Sequence, residues 1–209
     1  MAGREDWARA AEADSADDLR EKILTGFRTG KPFTPYVPTL SWPPVTRVLD
    51  FGCGLGRSFP WLRTVAPAIV GFDLPPMITR CRALLTEPVE ALRDDWAAVR
   101  DERFDLIHAS LVLQHIETEV VRSALADFAR MAPAIYVLTR TDTDFGVNLF
   151  DLIAERAELV PGECHEVDHD PADAPAWVLA RHLRRGPRVA GAGRHFEVML
   201  GSGRASGVT

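Results

Sequence analysis

Short apolar runs alternate with amphipathic, helix-like segments along the middle of this chain. The apolar runs predict five strands, at Arg47–Asp50, Ala68–Asp73, Val89–Arg93, Phe104–Leu111 and Ala134–Arg140. Apolar residues at helical spacing predict helices between them, over Ser58–Val65, over Met77–Leu85 and around Val121, Leu125 and Phe128. Such alternation predicts an α/β fold in which helices cover both faces of a mostly parallel sheet. We expect its ligands beyond the carboxyl ends of the strands.

Residues 1–45 follow a different pattern, which predicts an N-terminal helix followed by a cap or lid. After Ser15, which resembles a helix cap, the helix is marked by Leu19, Ile23 and Phe27. The next segment, Lys31–Pro44, is too rich in proline to form a regular element. Its aromatic residues, Tyr36 among them, face a ligand if the segment is a lid. The alternative is a linker that packs on the domain surface.

Residues 46–201 are predicted to form the main domain, although the pattern weakens after Gly146. Apolar spacing there predicts helices over Val147–Ala157 and Trp177–Leu183 and a last strand over His195–Leu200. The final residues, 202–209, are small and polar, which is typical of a flexible tail.

The composition is that of an ordinary globular protein, with 46% hydrophobic and 26% charged residues. A formal net charge of −6 argues against a nucleic-acid partner, because basic surfaces bind the phosphate backbone. The 3 cysteines show no C-x-x-C spacing, which favours reduced thiols. The sequence shows neither a signal peptide nor an apolar run of membrane-spanning length. We therefore expect a cytoplasmic protein without a membrane partner.

The most specific motif is a glycine-rich stretch, DFGCGLGRS, which runs from Asp50 to Ser58 between a predicted strand and a predicted helix. Glycine lets a ligand approach the main chain, and the free N–H groups of a helix start point at that ligand. A dinucleotide fingerprint requires glycine at the sixth position counted from Gly52, where Arg57 stands. A phosphate-binding P-loop requires a lysine that is missing here. The spacing that remains is D-x-G-x-G-x-G.

This spacing resembles motif I of the class I S-adenosylmethionine-dependent methyltransferases. The resemblance implies a Rossmann-like, mostly parallel seven-stranded sheet and S-adenosyl-L-methionine as cofactor, with S-adenosyl-L-homocysteine as its product. It implies cofactor contacts from Asp50, Gly52, Gly54 and Gly56. The segment Phe104–Ile116 resembles the fourth strand of the family and the loop after it, where Ser110 is expected to line the methionine half of the cofactor.

The same resemblance implies an acid for the ribose at the end of the second strand. Asp73 stands there, about twenty residues after the first glycine of the turn, and Leu74 beside it is expected to contact the cofactor too. The alternative for Asp73 is a helix cap. After the third strand, Asp95 is expected to accept from the adenine amino group while Trp96 packs beside the ring, although Asp94 is a second candidate for the acid.

Besides Tyr36 in the possible lid, three residues are candidates for binding the acceptor or for removing its proton. Methyl transfer requires an acceptor held in line with the methyl group, and a general base can take its proton. His115, after the fourth strand, is the candidate base, with a structural role as the alternative. Arg140 suits a carboxylate on the substrate or caps the next helix. His165 lies in an acidic stretch that we interpret as a polar active-site rim, and since the His-Glu-x-x-His order is missing, we predict no metal. The alternative is a divalent ion that holds the acceptor, as in some O-methyltransferases of the superfamily that the sequence resembles.

The leading hypothesis is a methyltransferase that acts on a small molecule, with O-methylation favoured over N-methylation. One alternative keeps the cofactor but not the methyl transfer, as in a cyclase built on the same scaffold. Another is a binding module that does not catalyse. Nothing in the sequence decides between a monomer and a homodimer.

Overall fold

A seven-stranded sheet forms the centre of the computed structural model, which describes residues 4–25, 44–86, 88–140, 149–167 and 195–202. The strands are β1 (Arg47–Phe51), β2 (Ala68–Phe72), β3 (Ala91–Arg93), β4 (Leu106–Ser110), β5 (Ala134–Arg140), β6 (Leu159–Val167) and β7 (His195–Ser202). Their order across the sheet is β3-β2-β1-β4-β5-β7-β6. Strands β1 to β5 are parallel, and β7 is antiparallel to both β5 and β6. The predicted α/β fold with a mostly parallel, seven-stranded sheet is confirmed.

Helices connect the parallel strands and cover the sheet. The helices in the described ranges are α1 (Arg4–Ala13), α2 (Ala16–Thr25), α3 (Phe59–Val65), α4 (Pro75–Leu84), α5 (Trp96–Val99), α6 (Thr118–Met131) and α7 (Leu149–Ala154). Proline stands in the first turn of both α3 and α4, where its missing N–H would have no partner in the helix. Helix α2 begins after Ser15, whose hydroxyl accepts from the N–H of Asp18 at 3.2 Å.

Side chains of the strands alternate between two apolar cores on opposite faces of the sheet. On β1, Val48 packs in the core that contains Phe59, whereas Leu49 packs in the core that contains Phe128. Buried parallel strands are apolar on both faces because helices cover both. The polar residue Asp50 follows in this alternation, so its burial calls for a partner inside the protein.

Three elements differ from the sequence prediction. Helix α1 was not predicted, because few of its residues are strongly apolar. The acidic stretch containing His165 was interpreted as a rim, but its first part is strand β6, paired antiparallel with β7. Helix α7 ends at Ala154, three residues before the predicted end at Ala157. The predicted helix Trp177–Leu183 and residues 31–43 of the predicted lid lie outside the described residues.

Candidate cofactor-binding site

The turn after β1 contains three glycines with positive φ angles, Gly52 (+76°), Gly54 (+57°) and Gly56 (+81°). A Cβ on Gly52 would lie 2.6 Å from the Cβ of Val112, so the loop after β4 leaves no room for a side chain there. A Cβ on Gly54 would have Ile23 as its nearest neighbour at 3.6 Å, an ordinary van der Waals distance. The space beside Gly54 is therefore the place where a ligand can approach the main chain.

Backbone amide groups fix this turn to the end of β2. The N–H groups of Gly52 and Cys53 both donate to the carbonyl oxygen of Phe72, at 2.8 and 3.1 Å. The N–H of Gly54 donates to Oδ2 of Asp73 at 2.7 Å. The turn and the acid after β2 are therefore one hydrogen-bonded unit, although nineteen residues separate Gly54 from Asp73.

Asp73 stands where the ribose-binding acid is predicted. Its Oδ1 accepts from the N–H of Leu74 at 2.7 Å, and its Oδ2 accepts from Gly54. Burial raises the pKa of this carboxyl to about 6, the two backbone hydrogen bonds oppose that rise, and the charge of Asp50 adds to it. Each carboxylate oxygen has two lone pairs, so both can accept a further hydrogen bond from a ligand hydroxyl.

Asp50, at the end of β1, makes a contact that the sequence analysis missed. Its Oδ1 lies 2.7 Å from Nδ1 of His108, the residue opposite it on β4. Its Oδ2 is buried without a hydrogen-bond partner among the described residues. The sequence contained one usable signal, because His108 is a polar residue within the apolar run of a buried strand and such residues require a partner.

Asp95 and Trp96 begin helix α5, and both have protein partners. Asp95 is exposed, and its Oδ1 caps the helix by accepting from the N–H of Ala97 at 2.9 Å. The indole of Trp96 packs among core aromatic rings, and its Nε1 donates to Asp127 at 2.9 Å. These contacts account for both side chains, and their contact with adenine stays a prediction.

The loop after β4 continues from Ser110, which ends that strand, and lies against the glycine turn. Leu111 has a φ of +56°, an uncommon value for a residue with a side chain, and its N–H donates to the carbonyl of Leu138 at 2.7 Å. Val112 then packs on Gly52, and a 3-10 turn follows over Leu113–His115. The candidate base is therefore attached to the segment that touches the turn.

Helices α1 and α2 lie over the same edge of the sheet. Ile23 of α2 is the side chain nearest Gly54, and the ring of Trp7 on α1 meets the ring of His115 edge-on, with centroids 6.1 Å apart. Arg80 of α4 donates to the carbonyls of Ala11 and Asp14 and so holds the end of α1. The signal that would have predicted α1 is the helical spacing of its packed residues, Trp7, Ala10 and Ala11.

The residues predicted to contact the acceptor are placed in part. Arg140 ends β5, and the strand registers pair it with His195 of β7, which in turn pairs with Val167 of β6. His165 precedes Val167 on β6, so both predicted residues lie near the carboxyl edge that carries the glycine turn. Their side chains, and the whole of Tyr36, lie outside the described part of the structure.

The described residues show neither a metal-binding cluster nor a membrane-spanning helix. Within them, no group of three or more His, Cys, Asp or Glu side chains is arranged to hold a metal ion. None of the helices in the same ranges is both long enough and apolar enough to span a membrane.

The strand order, the glycine turn after β1 and the acid after β2 define a Rossmann-like enzyme of the class I methyltransferase type. A family model described as a methyltransferase domain matches residues 8–185. The chain belongs to this methyltransferase family, because the match spans most of its length. It is an S-adenosylmethionine-dependent methyltransferase, and S-adenosylmethionine is its cofactor.

Solved methyltransferases share the fold. The N-methyltransferase NodS from Bradyrhizobium japonicum, in complex with S-adenosyl-L-homocysteine, is 16% identical over 76% of this chain and 79% of its own, with a TM-score of 0.51. The magnesium protoporphyrin IX methyltransferase from Synechocystis, with bound S-adenosylmethionine, is 13% identical over 76% and 71%, with a TM-score of 0.50. An O-methyltransferase family protein from Burkholderia thailandensis is 14% identical over 95% and 58%, with a TM-score of 0.51. No curated protein matches this sequence.

Two observations on this chain fit the cofactor. A Cβ on Gly54 would meet no atom closer than 3.6 Å, so a ligand group can approach the main chain there, and Asp73, bonded to the same residue, retains lone pairs for ribose hydroxyls. None of the described residues donates to the buried Oδ2 of Asp50, and a polar group of the cofactor can supply the missing hydrogen bond.

Proposed function

We propose that this protein transfers the methyl group of S-adenosylmethionine to an oxygen atom of a small-molecule acceptor. One observation carries the proposal: the loop after β4 holds His115 and packs against the glycine turn through Val112. A base attached to the edge of the cofactor site is what an acceptor hydroxyl requires, because the hydroxyl must lose its proton during transfer.

The contacts of His115 support its assignment as that base. Its Nε2 lies 3.2 Å from Nε2 of the neighbouring Gln114. This contact places a polar partner at Nε2, the ring nitrogen that would take the proton of the acceptor. A neutral imidazole with an unprotonated nitrogen is the form in which a histidine acts as a general base. In the proposed reaction, the acceptor hydroxyl takes the place of the Gln114 amide at this nitrogen.

Other residues of the chain would bind the cofactor and exclude water. Bound S-adenosylmethionine supplies a methyl group already activated on a sulfonium. Gly54, Asp73 and Asp50 would hold it at the turn. The ring of Trp7 meets the imidazole of His115 edge-on, and this contact would help to keep water from competing for the proton and the methyl group. The protein therefore contributes mainly position, which is a large part of catalysis when the donor is already activated.

The small size of the acceptor is supported by what lies over the site. Helix α2 brings Ile23 to Gly54 and helix α1 brings Trp7 to His115, so both sides of the site have a cover. A net charge of −6 also disfavours a polyanionic acceptor. The similar solved structures carry N- and O-methyltransferase names, so the choice of oxygen rests on His115 and not on them.

A matched pair of acceptors tests the proposal. Purified protein with S-adenosylmethionine is offered phenols and the corresponding anilines, and S-adenosylhomocysteine is measured. We expect turnover with a phenol to fall about 10²-fold or more in His115→Ala, with unchanged S-adenosylhomocysteine affinity. Glu117→Gln, an exposed change two residues away, is the control and should leave the rate unchanged.

Three outcomes would count against the proposal. Turnover of anilines only, independent of His115, would move the assignment to N-methylation. Equal rates for the wild-type and His115→Ala proteins would remove the base. Tight S-adenosylhomocysteine binding without turnover of any acceptor would favour an enzyme that uses the cofactor for another reaction, or a binding module.

A further inference from the structure

A row of buried polar side chains crosses three strands beside the glycine turn. Asp50 of β1, His108 of β4 and Tyr136 of β5 are register partners. Their exposed fractions are 2%, 3% and 0%, so none of them is open to solvent. The proposed methyl transfer gives no role to His108 or Tyr136. A row of this kind inside an apolar core costs stability unless its hydrogen bonds are satisfied, so its presence requires an explanation.

The contacts within the row fix the direction of the His108 ring. Oδ1 of Asp50 lies 2.7 Å from Nδ1 of His108, and since a carboxylate can only accept, Nδ1 donates to it. The imidazole lies parallel to the ring of Tyr136, with centroids 5.1 Å apart and 3° between the planes. Trp61 contacts the same imidazole at 5.7 Å. The ring is therefore held in place, and Asp50 is held through it.

The second oxygen of Asp50 is the unusual atom of the row. Oδ2 is buried and has no hydrogen-bond partner among the described residues. Asp50 stands two positions before Gly52, at the end of the strand that leads into the glycine turn. Its negative charge adds to the raised pKa of Asp73 and opposes the lowering of the Arg57 pKa by burial. The unpartnered oxygen therefore belongs to the surroundings of the glycine turn.

We propose that His108 is a positioning residue for cofactor binding, which holds Oδ1 of Asp50 so that Oδ2 is presented to a hydrogen-bond donor of the cofactor. A carboxylate has two oxygens on one plane, so fixing one oxygen fixes the other. Without His108, the carboxylate can rotate or use both oxygens elsewhere, and the donor of the cofactor loses a prepared partner. This role concerns cofactor binding and does not depend on the acceptor.

Two substitutions of His108 separate positioning from packing. His108→Leu keeps the bulk of the side chain but removes the donor, and His108→Asn loses bulk but keeps an N–H that can reach Oδ1. We expect calorimetry to show S-adenosylhomocysteine binding at least tenfold weaker in His108→Leu and within about threefold of the wild type in His108→Asn. If packing alone mattered, the order would be reversed, and that result would overturn the proposal.

A double-mutant cycle tests whether His108 acts through Asp50. Asp50→Asn removes the acceptor at Oδ2 and is expected to weaken S-adenosylhomocysteine binding by itself. His108→Leu added to Asp50→Asn should then weaken binding less than twofold further, because the carboxylate that His108 positions is already absent. Losses that multiply would overturn the proposal. Ile107→Val, on the same strand but in the opposite core, is the control and should leave affinity unchanged.

A measurement on the wild-type protein covers the case in which a variant does not fold. Nitrogen-15-labelled histidine reports on all 6 histidines by NMR, and His108 is identified through its bonded neighbours. We expect a hydrogen-bonded Nδ1 proton at His108 whose resonance shifts when S-adenosylhomocysteine engages Oδ2 of Asp50. A resonance that saturating S-adenosylhomocysteine leaves unchanged would show that Asp50 does not meet the cofactor and would overturn the proposal.

Discussion

The turn after β1 and the loop after β4 lie at the same edge of the sheet and touch each other, but the protein holds them differently. In the turn, the consecutive N–H groups of Gly52, Cys53 and Gly54 all donate to the end of β2. In the loop, Leu111 makes one backbone bond to β5 and has a positive φ angle, and side-chain packing holds the residues that follow. The turn is fixed by backbone bonds, whereas the loop depends on neighbouring side chains.

This difference corresponds to the two substrates of the enzyme. The cofactor is chemically constant, and a site built from a backbone turn and the carboxylates of Asp50 and Asp73 suits a ligand that never varies. In the proposed function, the acceptor side is built from side chains such as His115 and from helices near the start of the chain, as with Trp7. Side chains can change without disturbing the sheet, so this half is the one that can be adapted to different acceptors.

The largest expected effect is a difference in stability between alanine substitutions at two glycines of the turn, Gly52 and Gly54. Gly52→Ala places a methyl group against Val112 in a left-handed backbone conformation, so we expect the free energy of unfolding to fall by about 3 kcal/mol. Gly54→Ala carries only the backbone cost, about 1 kcal/mol, because its nearest side chain is at an ordinary distance. Urea unfolding of the apo proteins measures both.

Gly54→Ala should weaken cofactor binding more than it weakens the stability of the protein. The new methyl group takes space that the cofactor needs, so we expect S-adenosylhomocysteine to bind at least about tenfold more weakly to a protein that is still folded. Equal destabilisation by the two alanines would show that the loop after β4 can move away from Gly52. The packing of Val112 on Gly52 would then not fix the loop against the turn, and the comparison of the two regions would fail.

The second prediction concerns the cover formed by α1 and α2. Arg80 donates through Nε to the carbonyl of Ala11 at 2.8 Å and also donates to the carbonyl of Asp14. Arg80→Met keeps most of the apolar stem but removes both bonds, so we expect amide hydrogen exchange in α1 to accelerate about tenfold or more. Exchange in β1 and β4 should stay unchanged, because the sheet does not depend on this contact.

A matched change on the same helix controls for general loosening of α4. Arg82 is exposed and donates to the carbonyl of Leu92 on β3. It also lies 3.8 Å from Asp94, so the contacts it is known to make are with residues on and just after β3. Arg82→Met should therefore leave exchange in α1 as it is in the wild type. If both variants accelerate α1 equally, or neither does, Arg80 is not what holds the cover.

The cofactor half was predictable from the sequence because its signals are local. The spacing of Gly52, Gly54 and Gly56 and the offset to Asp73 are fixed by the geometry of one strand, one turn and the next strand. The N–H of Gly54 donates to the carboxylate of Asp73, so the glycine turn and the acid after β2, which were predicted separately, form one hydrogen-bonded unit. Turn chemistry of this kind leaves few alternatives, and short-range spacing is therefore enough.

The rest was not predictable, because it depends on contacts between residues far apart in sequence. Nothing near His108 in the chain indicates that Asp50 is its partner, since only the strand register brings them together. Trp7 reaches His115 because α1 packs on α4, a contact with no local signal. The indole of Trp96 packs with core aromatic rings that no local pattern indicates, and its contact with adenine stays a prediction.

The third prediction uses the ionisation of Asp73, whose pKa burial raises to about 6. Ribose hydroxyls donate, so the ionised carboxylate is the form that binds them. The affinity for S-adenosylhomocysteine should therefore fall about tenfold between pH 7 and pH 5. Calorimetry across this range measures the change, and Asp73→Asn should bind weakly at every pH without the step near pH 6.

The stability of the apo protein should change in the opposite direction. The folded-state pKa of Asp73 is about 6 and its ordinary value is 3.8, so between these values the folded state holds a proton that the unfolded state has released. Stability is therefore lost as the pH rises from about 4 to about 6, by up to about 3 kcal/mol. Asp73→Asn has no carboxyl that ionises, so the stability difference between it and the wild type should change between about pH 4 and about pH 6. A difference that stays constant over this range would contradict the raised pKa of Asp73.

The smallest expected effect concerns Asp95, which caps α5 and is the candidate for the adenine amino group. Asp95→Ser keeps an oxygen that can accept from the N–H of Ala97 but shortens the side chain, so unfolding should change by less than about 0.5 kcal/mol. If Asp95 also accepts from adenine, S-adenosylhomocysteine affinity should fall about threefold to tenfold. Asp94→Ser, one position earlier, is the matched control and should leave affinity unchanged. If affinity falls only in Asp94→Ser, the adenine contact belongs to Asp94. If affinity falls in neither variant, Asp95 caps α5 and makes no contact with the cofactor.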